Sequence, residues 1–528
     1  MKNKIWGVLF LVVSILIILL LLFIKKDSKK EIVEDKVTLK WYINYSWFDT
    51  EWGKNIVSKK ISEKIGVNVE FVVPKGDESE KLNSMINSDT LPDLITLGWW
   101  ECENQEMIEK DKVYSYQQLE ETYHTGFFEI ADEESVKWYT KEDGNLYGYP
   151  NYSYSWTDFQ ENKEKISSHQ NFLVRKDIYE AIGSPDMTTP EGFVAAVKKA
   201  KEMFPEVNGK PLIPIGSDQF SERGSNSFDI WLQNFLAVPY EKDGKYYDRN
   251  TDQEYLNWLK VFRQLGEEGY LNPEIFIDNR MQLSEKLVDG RYFCLFYQNT
   301  DIEEQEKKIY KENPDRIYIA VEGPRNSKGE DPVLSVPGIN GWTVTYISKN
   351  CKYPKKALEL LNYMLSEEGQ KLIYLGEEGT MYHMMDQRAV INQEVADVLN
   401  TDREEYDSIY GADDTYWMVQ SGEMQMEAIS YEADYIRQLY EWTNPYAAYT
   451  GQYELDFGDD MEMSAIYHKL NQIWSDALID LLLAPSEEAF DLRVEQYKEE
   501  RNKIGYHDFE EAATELIQKN KEKLGIKE

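Results

Sequence analysis

The sequence predicts an α/β fold, on three observations. Between residues 37 and 97 the hydrophobic pattern alternates with period two, changes to helical spacing, and repeats the change, giving the order β-α-β-α-β. That order implies right-handed crossovers and a mainly parallel sheet, whose ligand crevice lies beyond the carboxyl ends of its strands. The 528 residues suffice for about three domains or two large lobes. A hydrophobic content of 42%, with 13% aromatic, fills real cores and excludes disorder for most of the chain.

The elements follow in chain order. Residues 5–24 carry no charge and are interrupted only by Gly7 and Ser14, long enough to cross a hydrocarbon layer of ~30 Å as a helix. The run ends directly in Lys25 and Lys26 with no A-x-A-like cleavage site, so an uncleaved N-terminal transmembrane helix is expected, followed by a polar linker to residue 36. Val37, Leu39, Trp41 and Ile43 then alternate with Thr38, Lys40, Tyr42 and Asn44, the pattern of a strand with one buried face. Ile56, Val57, Ile61 and Ile65 mark a helix that Gly66 can end. Val67, Val69, Phe71 and Val73 form the next strand, Leu82, Met85 and Ile86 the next helix, and residues 94–97 the third strand. Aromatics follow two strand ends, Tyr45-Ser46-Trp47-Phe48 and Gly98-Trp99-Trp100. Further helices are expected over 189–204, opened by Thr189-Pro190-Glu191, and over 255–265. Another is expected over 354–365 with Ser366 capping its successor, and a long amphipathic one over 466–482 before two charged terminal helices.

Charge and motif content narrow the function. With 58 Lys and Arg against 96 Asp and Glu the net charge is −38, which excludes a nucleic-acid partner and leaves neutral or cationic ones. Three widely spaced cysteines and five unpaired histidines encode neither a disulfide framework nor a zinc site. No G-x-S-x-G elbow, P-loop or G-x-G-x-x-G turn occurs, so no cofactor is expected.

Several phrases, in order, carry a family resemblance. They are Leu91-Pro92-Asp93-Leu94-Ile95, the run from Glu142 through Gly148-Tyr149-Pro150-Asn151, Val174-Arg175-Lys176-Asp177, and Thr189-Pro190-Glu191-Gly192-Phe193. Gly269-Tyr270-Leu271-Asn272-Pro273-Glu274, Ile347-Ser348-Lys349-Asn350 and Ser366-Glu367-Glu368-Gly369-Gln370 follow. Over about residues 37–380 the chain resembles the extracellular solute-binding proteins of bacterial ABC importers, family 1, in the large LplA-like sugar-binding lipoprotein group. The resemblance implies a two-lobed periplasmic-binding-protein-like fold of the class II type. Lobe I is expected from 37–155 plus 318–390, and lobe II from 156–317 plus 391–528. It implies a monomer that closes on an oligosaccharide without chemistry and delivers it to an ABC permease in the membrane. The body then lies on the extracytoplasmic side, although Lys25, Lys26, Lys29 and Lys30 after the apolar run outnumber Lys2 and Lys4 before it. A membrane-anchored ligand sensor would use the same lobes, and a glycoside hydrolase would need a carboxylate pair that nothing in the sequence singles out.

The chain departs from the family twice. No lipobox cysteine follows the apolar run, so the span takes over anchoring. The stretch where relatives carry a calcium loop, residues 204–210, has too few acidic oxygens, and the EF-hand-like opening at Asp248 lacks the needed glycine and bidentate glutamate, so no metal is expected. A sugar offers apolar C–H faces and hydroxyl edges, which call for flat rings and hydrogen-bonding amides and carboxylates. The ligand candidates are therefore Trp47, Trp99, Trp100, Tyr152, Trp156, Trp231, Tyr297, Trp342 and Trp417, with Asp93, Asn151, Gln298 and Asn340 as polar partners. Asp93 can equally brace a turn, and any single tryptophan can equally be a core residue.

Overall fold

The computed structural model describes residues 36–76, 78–221, 224–385, 388–428, 433–458 and 460–527. The expected transmembrane helix lies outside them, and among the described residues no helix is long and apolar enough to cross a membrane.

Two sheets organise the chain. Strands β1 (Val37–Ile43), β2 (Val67–Val72), β3 (Leu94–Gly98) and β4 (Gly148–Pro150) start the first sheet. Strands β5 (Gln170–Arg175), β6 (Ile213–Gly216), β7 (Tyr292–Gln298) and β8 (Tyr318–Ala320) form the second, and β9 (Thr343–Ile347) returns to the first. The first sheet has the order β2-β1-β3-β9-β4, with β1 parallel to β2 and β3 and with β9 antiparallel to β3 and β4. The second has the order β8-β5-β7-β6, with β5 antiparallel to both neighbours.

Strand β1 differs from its expected one-sided burial. Leu39 and Trp41 pack with Val57, Ile61, Leu358 and Leu361 on one face, while Tyr42 on the other packs with Leu82, Met85 and Ile86. Tyr42 is fully buried because helices cover both faces of a parallel sheet, and an aromatic ring with one polar tip fits there once its hydroxyl donates to Asn44 Oδ1 at 2.9 Å. Helix Ile56–Ile65 is capped at both ends as its sequence requires: Asn55 Oδ1 accepts from Ser58 N, and Gly66 is left-handed at φ 73°. The second lobe is built around a larger core, in which Phe193 packs on Phe172 of β5 and Trp258, Phe262 and Trp474 belong to the same cluster.

The phrases that carry the family resemblance are mostly caps and braces. Thr189 and Ser366 cap Pro190–Met203 and Glu367–Leu375, and Arg175 clasps Asp177 through two hydrogen bonds of 2.7 and 2.8 Å. Gln370 donates to the carbonyls of Met364 and Val419 and accepts from Ser421 N, tying the first lobe's helices to a later loop. Gly369 approaches the Tyr363 carbonyl so closely that a Cβ would lie 1.8 Å from it, so no larger residue fits.

The chain passes between the lobes in three connecting segments. They are stitched to one another: Tyr152 N donates to Gln420 O, Tyr154 N to Gly338 O, Trp342 N to Asn151 O, and Val336 N to Ala448 O. Strand β8 pairs with β5 in the second sheet. Val395, Tyr406 and Tyr416 pack in the first core. The hydrophobic pattern alone is blind to both, since it does not say which sheet a short strand or helix joins. The helices Met461–Leu482, Glu487–Ile504 and Tyr506–Leu524 finish the second lobe, and the last reaches back to the first, where Lys523 Nζ lies 4.8 Å from the Trp138 ring.

Candidate functional site

Between the two sheets lies a cavity of about 2200 Å³, lined from both lobes and from the connecting segments. Drug-sized ligands occupy pockets of roughly 300–1,000 Å³, so the space holds a considerably larger guest with its water. Aromatic side chains outnumber aliphatic ones on its wall.

The wall is built from element ends. Strand β1 runs out into Tyr45 and Trp47, the turn before β9 supplies Trp342, and the 3-10 helix Asp413–Val419 supplies Trp417. The Trp342 and Trp417 ring centroids are 4.4 Å apart, Tyr45 lies 5.3–5.7 Å from each of the three tryptophans, and Trp47 is parallel to Trp342 at 6.2 Å. Trp47 is 41% exposed, so the cluster keeps an open face towards the cavity. Gly341 makes the approach possible: at φ 65° it passes so near the Asn151 carbonyl that a Cβ would lie 1.9 Å from it. Trp99 and Trp100, in the turn after β3, stand edge to face at 5.9 Å and both reach the wall.

Of the residues the sequence nominated, Trp47, Trp99, Trp100, Tyr152, Trp231, Gln298, Trp342 and Trp417 lie on this wall. Five do not, each for a structural reason. Asp93 Oδ2 accepts from Lys40 N at 2.8 Å and braces β1 against the start of β3. Asn151 donates to the Trp417 carbonyl and accepts from Thr343 N, tying the start of β9 to the Trp417 segment. Trp156 packs on Phe159 and Tyr449. Tyr297 is buried beneath the wall, one residue before Gln298, which faces it. Asn340, also buried, accepts from Trp138 Nε1.

Sequence reasoning missed the charged part of the wall. Arg280 stands over the Trp47 ring at 5.3 Å, a contact that crosses from the second lobe to the first, and pairs with Asp301 at 2.7 Å. Burial, and then the Asp301 charge, push the Asp218 carboxyl up to about 6. Arg403 pairs with Asp407 and Asp413 at 2.8 and 2.7 Å, and the Tyr152 hydroxyl donates to Asp414 at 2.9 Å. Opposite them Lys307 pairs with Glu303 and Glu304. Glu303 is raised above the usual carboxylate range, chiefly by burial, with Asp413 across the cleft adding to the shift. Tyr45 was legible, since it adjoins Trp47 after the same strand; Arg280 and Asp301 carry no local signal.

The EF-hand-like stretch is braced by its own side chains. Asp248 accepts from Asn250 N and pairs with Arg501, and Asp252 caps Gln253–Glu267. Among the described residues no group of three or more His, Cys, Asp or Glu could hold a metal ion.

Residues 57–377 match the model of a family described as bacterial extracellular solute-binding protein. The chain is 24% identical over 259 residues to the fructooligosaccharide ABC transporter substrate-binding protein FusA of Streptococcus pneumoniae serotype 4, covering 46% of each chain. It is 25% identical over 231 residues to lipoprotein LipO of Bacillus subtilis strain 168, covering 40% of this chain and 44% of that one. The match thus spans less than half the length of these curated relatives. The fold extends further: the crystal structure of alginate-binding protein AlgQ2 without calcium ion superposes with a TM-score of 0.67 at 16% identity, over 92% of this chain and 98% of that one. FusA in complex with kestose gives 0.67 at 16% identity, over 91% and 99%. The α/β architecture is the two-lobed one of periplasmic binding proteins.

Proposed function

The chain belongs to the bacterial extracellular solute-binding protein family, and from that premise we propose that it captures an oligosaccharide between its lobes for an ABC importer. The family binds solutes and does not transform them. The observation that carries the reading is the cluster of Tyr45, Trp47, Trp342 and Trp417 on the wall of a cavity shared by both lobes. Flat rings match the C–H faces of a pyranose or furanose, and the carboxylates and amides around them match its hydroxyls. FusA, whose name and complex with kestose concern fructooligosaccharides, gives the reading its direction. In this reading residues 5–24 anchor the body outside the cell as a single monomer beside its permease.

A guest shifts the balance between open and closed lobes only through contacts it makes better in the closed form. A ring seated against Trp342 of one lobe and edged by Gln298 of the other makes such contacts. Titrating the body from residue 37 onward against neutral oligosaccharides, with tryptophan emission as readout, is expected to give saturable quenching or a shift with at least one of them. No response across a broad glycan set would refute the sugar reading, and steady release of reducing ends would refute binding without chemistry.

A further inference from the structure

The cavity's charge is as unusual as its aromatic content. Among the described residues fourteen carboxylate side chains line it against six lysines and arginines, a formal balance of −8 that burial reduces near neutral pH by raising Glu454 to about 8 and Asp414 to about 7. The cations nearest the aromatic cluster and the Tyr152 side are engaged: Arg280 by Asp301, Lys307 by Glu303 and Glu304, and Arg403 by Asp407 and Asp413. Arg249 lies instead 3.9 Å over the Tyr240 ring. Lys308 is exposed. A carboxylate, sulfate or phosphate on a ligand would enter a field of mostly like charge, in a recess where salt screens less than at an open surface, with Lys141 and Lys308 the lining cations outside these contacts.

Arg280 decides the matter at the place where a ring would stack. Its guanidinium lies over Trp47, where it could receive an anionic substituent, but Asp301 Oδ1 holds it at 2.7 Å. Asp301 is only 16% exposed in its side chain, and Asp218 lies close enough for its carboxyl to be raised by Asp301. The arginine therefore presents a neutralised pair.

Resting on the oligosaccharide reading above, we infer that this cleft selects against acidic saccharides and takes neutral or amine-bearing ones, with Asp301 as the residue that sets the selection by neutralising Arg280 beside Trp47. The sugar's rings supply the affinity, and the carboxylates filter by charge. Because the wall is net negative, an amine on the guest is tolerated where a carboxylate is not.

The test uses neutral tetrasaccharides of gluco, manno and galacto configuration together with fructo-oligosaccharides, and each one's form with primary hydroxyls oxidised to carboxylates. Binding is measured by tryptophan emission and calorimetry. A neutral member is expected to bind and its carboxylate form to bind at least tenfold more weakly at low salt. Asp301→Asn, which keeps the side chain's shape and frees Arg280, is expected to narrow that gap at least threefold. A gap under tenfold, binding of the carboxylate form alone, or a gap unchanged in Asp301→Asn would each overturn the inference while leaving an oligosaccharide binder. If neither form of any member binds, the reading beneath it fails as well.

Discussion

Glu306 sits in the helix Asn299–Glu312 with no exposed surface, its Oε1 accepting from Tyr318 N at 2.8 Å. Burial pushes its carboxyl up to about 8 from the ordinary 4.5. The native state thus holds a proton that the unfolded chain releases, and stability falls as pH rises from about 4.5 to about 8. Between pH 5 and pH 7 those two values give a loss of roughly 2–3 kcal/mol at about 1.4 kcal/mol per unit. Glu306→Gln keeps an oxygen for Tyr318 N and cannot ionise. Its stability relative to the unchanged protein should therefore rise by that amount over the same interval. Because every other titrating group is shared, the difference between the two pH profiles isolates this one carboxyl. Chemical denaturation at pH 5, 6, 7 and 8, followed by far-ultraviolet circular dichroism, measures it. Profiles that run parallel would refute the claim that Glu306 is neutral in the folded protein at pH 7.

Three further outcomes are expected. Trp342→Ala should weaken binding of the sugar found by titration by about 2 kcal/mol, roughly thirtyfold in Kd, whereas Trp156→Ala should lower thermal stability and leave Kd alone. Asn151→Ala strips partners from Thr343 N–H at the start of β9 and from the buried Trp417 carbonyl, and should cost about 2–5 kcal/mol in a denaturant titration. Arg501→Leu leaves Asp248 buried without its cation and should destabilise the second lobe by about 3–5 kcal/mol, with Asp248→Asn on top recovering much of the loss. A double variant no more stable than Arg501→Leu would contradict that account.

Much of the architecture was legible because local signals agree with it. The alternation at β1 and β2, the glycine after Ile65, the proline opening 354–365 and the serine at 366 each act within a few residues of themselves. The ring-bearing strand ends were legible for the same reason: in an open α/β sheet the crevice lies where such strands stop, and Trp47, Trp99 and Trp100 stand there. Trp156 and Asn340 lie off the wall, since an aromatic or amide at an element's end serves packing or a passage between lobes equally well. The Arg280–Asp301 pair was invisible since it joins residues 21 apart on different helices and meets Trp47 only once both lobes are in place. The pairing of 318–320 with β5 and the packing of Val395, Tyr406 and Tyr416 in the first core were hidden too, since both join residues more than a hundred positions apart.

The placement of β9 between β3 and β4 constrains how the molecule comes into being. As the chain emerges from the ribosome, β1, β2, β3 and β4 appear early, yet the strand that joins β3 to β4 is made some two hundred residues later. Strands β5 to β8, by contrast, arrive consecutively and can assemble first. The earlier half then waits with two unpaired strand edges, and closing it requires a long-range contact, the slow and aggregation-exposed kind. A chain held unfolded until its whole length is available avoids that interval, because β9 then meets β3 and β4 at the moment they first pair.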